Sequence, residues 1–198
     1  PQAVALISSG GKGTRYAHVL FDKEGKQYTD DRAKGFYFID MDGQKHSIIE
    51  VALAQVAYKN ETYRRAGYLA KNIPAVIMVS HLTKDDVRAD LIRLGYDRDP
   101  PRENVYRHPD PIYSEVRLIE TGKSQLIYKH TADLLMNIQP ELSIDDAFWP
   151  DGHDSSFVMP VATGQAIDLF RDGYRYFFIG NVDNRAASIE PAMLAILV

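Results

Sequence analysis

Apolar residues fall in short solid runs at 3–7, 73–79 and 176–179, each bounded by polar or glycine-rich positions. Runs of that length read as strands covered on both faces. Between the first two, apolar residues at 48, 49, 52, 53 and 56 recur with the helical period. Ser47 and Glu50 have capping-box spacing at the start of that helix, and its more polar continuation breaks at Gly67. Residues 83–94 read as a second helix, with Thr83 as N-cap, acidic residues in the first turn and Gly95 at the end. A third helix is predicted over 161–170, ended by Gly173. Residues 33–40 lead into a short strand closed by the Asp42-Gly43 turn, and 104–107 is a further strand candidate. The runs 116–119 and 124–128 flank Thr121-Gly122-Lys123 and read as a hairpin. Residues 132–148 fit neither period. Strands alternating with helices predict an α/β fold, its sheet mixed because of the hairpin and its centre at 176–179.

In open α/β sheets ligands collect beyond the carboxyl ends of the strands. Three polar segments sit at such ends: 8–15, 80–83 and 181–184. The first is Ser8-Ser9-Gly10-Gly11-Lys12-Gly13-Thr14-Arg15. Its glycines let backbone N–H groups approach a ligand, and Lys12 and Arg15 add positive charge, which suits phosphates. It is not a Walker loop, because Gly13 separates Lys12 from Thr14, nor a dinucleotide fingerprint, because Tyr16 stands where a third glycine is needed. A plain strand-to-helix turn reads the same way in isolation. Asp183, between Val182 and Asn184, is the carboxylate type that Mg²⁺ shares with substrate phosphates, and also an ordinary turn former. Residues 16–33 are polar and irregular, a loop over the glycine-rich turn. Lys34 follows that loop and His153 follows Gly152; each reads equally as a surface residue.

Composition narrows the field. The chain has 198 residues, 45% hydrophobic and 25% charged, enough for one domain with a core. A net charge of −4 gives no reason to expect nucleic acid as a partner. There is no cysteine, hence no disulfide framework and no thiolate metal site, which fits a cytoplasmic protein. No apolar run approaches the ~20 residues that cross a bilayer, so no membrane role is expected. The last seven positions, 192–198, are apolar without a polar cap, so the chain is expected to be a piece of a longer one.

Five motifs in order resemble the UDP-sugar pyrophosphorylases, the uridylyltransferase family that includes UTP–glucose-1-phosphate uridylyltransferase and UDP-N-acetylhexosamine pyrophosphorylase. They are Gly10 to Arg15, Ala33-Lys34-Gly35, Ile77-Met78-Val79-Ser80 with Thr83, Trp149-Pro150-Asp151-Gly152-His153-Asp154, and the strand that ends at Asn181-Val182-Asp183-Asn184. The resemblance implies a Rossmann-like, glycosyltransferase-A-like domain, with residues 1–198 as its nucleotide-binding part and the sugar-binding half absent. It implies transfer of a uridylyl group from UTP to a sugar 1-phosphate, with glucose 1-phosphate as the sugar. Gly10 and Gly11 would lie against the base, and Lys12, Gly13, Thr14 and Arg15 would wrap the triphosphate. Ser80, Gly152 and His153 would border the nucleoside, Asp183 would hold Mg²⁺, and Lys34 would neutralise phosphate charge. The chain departs from the pattern at Ala33, where the family has Pro or Cys, and at Arg107 and His108, near which it has a Gln that reads uracil. The stretch between Arg15 and Lys34 is also long for the family. Two other functions stay open: a glycosyltransferase that uses a finished UDP-sugar, and a catalytically silent nucleotide-binding protein.

Overall fold

The computed structural model of the protein describes residues 2–9, 20–21, 27–28, 38–69, 71–99, 104–121, 123–125, 148–150, 155–182, 184, 189 and 196. In chain order the elements are β1 (Gln2–Ser8), β2 (Leu20–Phe21), β3 (Gln27–Tyr28), β4 (Phe38–Met41), β5 (Gln44–Ser47), α1 (Ile48–Arg65), β6 (Ala75–Val79), α2 (Lys84–Arg93), β7 (Asp97–Arg98), β8 (Val105–Arg107), β9 (Val116–Glu120), β10 (Lys123–Gln125), β11 (Phe148–Pro150), α3 (Ser155–Ala162), α4 (Gln165–Arg171) and β12 (Tyr174–Asn181). The main sheet has the order β12-β1-β6-β9-β8-β7. Its first four strands are parallel, and β8 and β7 run antiparallel to their neighbours.

Alternation along the strands builds a layer on each face. Ile7, Ala75, Ile77, Val79 and Leu118 meet Ile49 and Leu53 of α1 and Val87 and Leu91 of α2. Val4, Leu6, Val76, Met78 and Ile119 meet Leu169 of α4, with Met159 of α3 packed against them. Every residue of β6 is buried, which is why its sequence is apolar without a break. Burying each such Ile, Leu or Met stabilises the fold by about 1.5–3 kcal/mol.

Ser47 caps α1 as its spacing predicts: its hydroxyl accepts from the Glu50 N–H at 3.1 Å and donates to Asp90 Oδ2 at 2.7 Å. The Glu50 carboxylate takes other partners, His46 Nδ1 at 2.6 Å and Arg93 Nη2 at 3.2 Å, and so ties α1 to the end of α2. The β4–β5 hairpin turns on Asp42 and Gly43, at φ 54° and 79°. Two positive φ values are what a tight hairpin turn needs, and glycine supplies one without strain.

Four expectations change. The 116–128 hairpin does not form: β9 has both edges occupied, by β6 and β8, so β10 pairs with β11 instead. The sheet is mixed because of β7 and β8. Among the described strands β12 is an edge and only partly buried, since it pairs with β1 alone. The helix expected over 161–170 is two helices, broken at Gly164, whose φ of 75° lies outside helical geometry.

Candidate active site

The four parallel strands end side by side. Ser8 is in register with Asn181 on one side and Met78 on the other. The ladder continues one residue past the strands: Ser9 N–H donates to Met78 O at 2.9 Å, Val182 N–H to Ser8 O at 3.1 Å, and Thr121 N–H to Val79 O at 2.7 Å. The segments that follow β1, β6, β9 and β12 therefore leave the sheet from one carboxyl edge. Chain direction also changes here, because β6 and β9 lie to one side of β1 and β12 returns to the other. That is the crevice at which open α/β sheets bind ligands.

Several side chains at this edge are small and hydroxylic. Ser8 Oγ lies 3.1 Å from Ser156 Oγ, which joins β1 to the start of α3. Ser80 and Thr83 are fully buried and close a turn on themselves. Ser80 N–H donates to Thr83 Oγ1 at 3.0 Å, and Leu82 N–H donates to Ser80 Oγ at 3.2 Å. Thr83 thus serves the turn and makes no side-chain cap to α2. Lys84 and Glu120 pair at 2.5 Å, which cancels their charge. Ser9 Oγ and Thr121 Oγ1 are buried and have no hydrogen-bond partner among the described residues. A buried polar atom left so costs about 1–3 kcal/mol.

Of the predicted site residues, Ser80 is described and stands at the carboxyl end of β6; its hydroxyl is committed to its own turn. Gly10, Gly11, Lys12, Gly13, Thr14, Arg15, Lys34, Gly152, His153 and Asp183 lie outside the described residues. Their described neighbours do meet: Ser9, Ser156 and Val182 all reach this edge through β1. Thr121, which the sequence places in a hairpin turn, instead extends the β6–β9 ladder at this edge.

Arg107 and His108, at which the sequence departs from the family pattern, lie away from this edge. β8 runs antiparallel to β9, with Val105 opposite Arg117 and Tyr106 opposite Val116, so residues 107 and 108 lie at the amino edge, away from the strand ends just described. Arg107 pairs there with Glu115 at 2.9 Å and Asp99 at 3.1 Å. Buried Arg117 pairs with Glu115 at 2.6 Å and reaches Asp172 at 3.4 Å. Burial, with the Glu115 and Asp172 charges adding to it, pushes the Tyr174 phenol up from its usual range. Its hydroxyl donates to Asn72 O at 2.9 Å.

Among the described residues no helix is long and apolar enough to cross a membrane. The model of a protein family described as UTP–glucose-1-phosphate uridylyltransferase matches residues 25–198. No curated protein matches the chain in sequence. Among solved structures, UDP-glucose pyrophosphorylase from Leishmania major is 20% identical over 98% of this chain and 33% of its own, with a TM-score of 0.65. A variant of that enzyme in complex with UDP-glucose is also 20% identical over the same shares, 98% and 33%, with a TM-score of 0.63. A UDP-glucose phosphorylase from Trypanosoma brucei is 17% identical over 99% of this chain and 35% of its own, with a TM-score of 0.59. At these identities the likeness is one of fold. The chain spans about a third of the length of these structures.

Proposed function

The chain belongs to the UTP–glucose-1-phosphate uridylyltransferase family, and from that premise we propose that the protein carrying it transfers UMP from UTP to a sugar 1-phosphate. The observation that carries this reading is the family match over residues 25–198, which includes three of the four strands that end at the carboxyl edge. A phosphate oxygen of the sugar 1-phosphate attacks the α-phosphorus of UTP. The bond from that phosphorus to the bridging oxygen breaks, and pyrophosphate leaves with the electron pair. No covalent enzyme intermediate forms, so alignment and charge neutralisation supply the rate.

The glycine-rich turn after β1 is the phosphate cradle in this reading. Gly10 and Gly11 leave room for the base, and Gly13 and Thr14 offer backbone N–H groups to the triphosphate. Lys12, Arg15 and Lys34 offset the charge that builds on the phosphates. Ser80, Gly152 and His153 border the nucleoside, Ser80 through its backbone because its hydroxyl is already used. Among the described residues no three His, Cys, Asp or Glu side chains gather as a metal cage. A site built on the single carboxylate of Asp183 fits Mg²⁺, which takes hard oxygen donors and fills its shell from phosphates and water. Bound there, the ion would screen phosphate charge. Glucose 1-phosphate is the acceptor we favour, since the family description names it.

The test is pyrophosphate exchange by the full-length protein, with UDP-glucose, labelled pyrophosphate and Mg²⁺. Label should appear in UTP, and Asp183→Ala should abolish the exchange. Exchange with a different UDP-sugar alone would replace glucose as the sugar. No exchange with any UDP-sugar would overturn the reading.

A further inference from the structure

We propose that the outer face of α3 and α4 is a docking surface for a second copy of this chain, joined across a twofold axis. A surface helix normally turns its polar side outward. α3 does the reverse. Its only polar side chains, Ser155 and Ser156, are buried, while Phe157, Val158 and Val161 are 70%, 62% and 62% exposed. These three stand three and four residues apart and so form one stripe, opposite the side that carries Ser156, Met159 and Pro160. α4 continues the surface. Its Leu169 is buried against the sheet, while Ile167 and Phe170, three residues apart, are 50% and 59% exposed. The two helices touch and cover the same face of the sheet, so both stripes look outward. The inner side of α3 is fixed by the Ser8–Ser156 pair at 3.1 Å and by Met159 on the core. Even the Thr163 hydroxyl at its end turns back, to Met159 O at 2.8 Å.

Size and charge select the occupant. Large apolar side chains open to this degree present on the order of 500 Å², near the top of what a monomer leaves uncovered. A standard interface takes about 800 Å² from each partner, so the stripe supplies an apolar centre and its surroundings supply a rim. That rim carries Asp168, Arg171, Asp172 and Arg175. Asp168 and Arg171 are exposed and only loosely paired, at 3.7 Å, and the Arg175 guanidinium lies over the Phe170 ring at 4.1 Å. Two carboxylates and two guanidiniums cancel, which gives no pull toward an anionic membrane or a nucleic acid. A rim with both signs in equal number matches itself. Across a twofold axis Arg171 of one copy can exchange its partner for Asp168 of the other, while the apolar stripes close on each other. None of these exposed residues is assigned to the nucleotide, so the surface is independent of that reading.

The experiment follows the molar mass of the full-length protein by sedimentation over a range of concentrations, and its Tm. It compares wild type, Phe157→Glu combined with Val161→Glu, and the milder Phe157→Ser combined with Val161→Ser. Wild type should be a dimer that dissociates on dilution. The Glu pair should raise the dimer Kd about 10³-fold or more, because each substitution acts twice across the axis. The Ser pair should raise it at least about tenfold. Wild type diluted below its Kd should melt with the Glu pair, since the dimer adds stability only by mass action. If the Glu pair does not fold, the Ser pair decides alone. A wild type that is monomeric at every concentration would overturn the inference. Among such outcomes, a Tm lowered in both variants would assign the face to another part of the same polypeptide, and binding of the monomer to neutral lipid vesicles would assign it to a membrane. An assembly unchanged by either variant would place the contact elsewhere and overturn it as well.

Discussion

The two edges of one sheet are built from different side chains. At the amino edge Asn60 and a set of charged side chains have found partners. Asn60 is fully buried, donates to Ser114 Oγ at 2.8 Å and accepts from Ile73 N–H at 2.7 Å, while Ser114 Oγ donates to Ile73 O at 2.6 Å. Arg117, Glu115, Arg107 and Asp99 form a chain of ion pairs beside them. At the carboxyl edge several side chains are short, and among the described residues the buried hydroxyls of Ser9 and Thr121 have no partner. Among the same residues Gln2 Oε1 and the Tyr96 hydroxyl also stand buried and unpartnered near the amino edge, so the difference lies in the ion pairs and amide bonds of one edge against the short hydroxyls of the other. The amino edge is the closed one, held by ion pairs and amide bonds, and the carboxyl edge is the open one. Substitutions at the two should therefore separate stability from binding.

The largest effect belongs to the open edge. Lys12→Ala in the full-length protein should lower kcat for UDP-sugar formation about 10²–10³-fold, which is about 2.7–4 kcal/mol of transition-state stabilisation. The urea midpoint should stay at the wild-type value, because no part of the closed edge is altered. Steady-state rates beside a urea melt check both. A parallel loss of stability and rate would break the division between the edges.

Next comes the closed edge. Asn60→Ala removes the acceptor of Ile73 N–H and a donor to Ser114 at a site with no access to water. Stability should fall by about 2–3 kcal/mol, through the buried N–H left unpaired and the space left behind. UTP affinity of the folded fraction should not move. A titration at low temperature, where the variant is folded, measures it; a weakened UTP site would show that the edges are coupled through β6.

How far the sequence showed this in advance differs between the edges. The inner strands were legible because covering both faces forces solid apolar runs, as in β6. The cap at Ser47 was legible because its bond to Glu50 N–H spans three residues. Strand neighbours were not. Val116-Arg117-Leu118-Ile119 and 124–128 looked like a hairpin because local spacing carries no record of which edges are occupied. The paired role of Arg107 was hidden for the same reason, since Glu115 and Asp99 become its neighbours only when β8 runs antiparallel to β9. The glycine-rich turn and Asp183 stood out by residue type. Thr121 did not, because one threonine after a strand becomes significant only when its hydroxyl is known to be buried and, among the described residues, without a partner.

The smallest effect extends the comparison to the layer between α1 and α2, where Glu50, His46, Arg93 and Asp90 are paired as at the closed edge. Burial pushes the Glu50 carboxyl up, but hydrogen bonds and charge from His46 and Arg93 outweigh it and hold the group below its ordinary 4.5. A carboxylate depressed in the folded state stabilises the fold above its unfolded value, and the contribution is lost as pH falls through the folded one. The window thus opens near 4.5 and extends downward. Glu50→Gln should be less stable than wild type at about pH 7, and the Tm gap should shrink as pH falls to about 3. Because Glu50 is partly exposed, the gap is small. A gap constant across that range would show that Glu50 acts through packing rather than charge. A change in UTP affinity would set this cluster apart from the closed edge and place it with the open one.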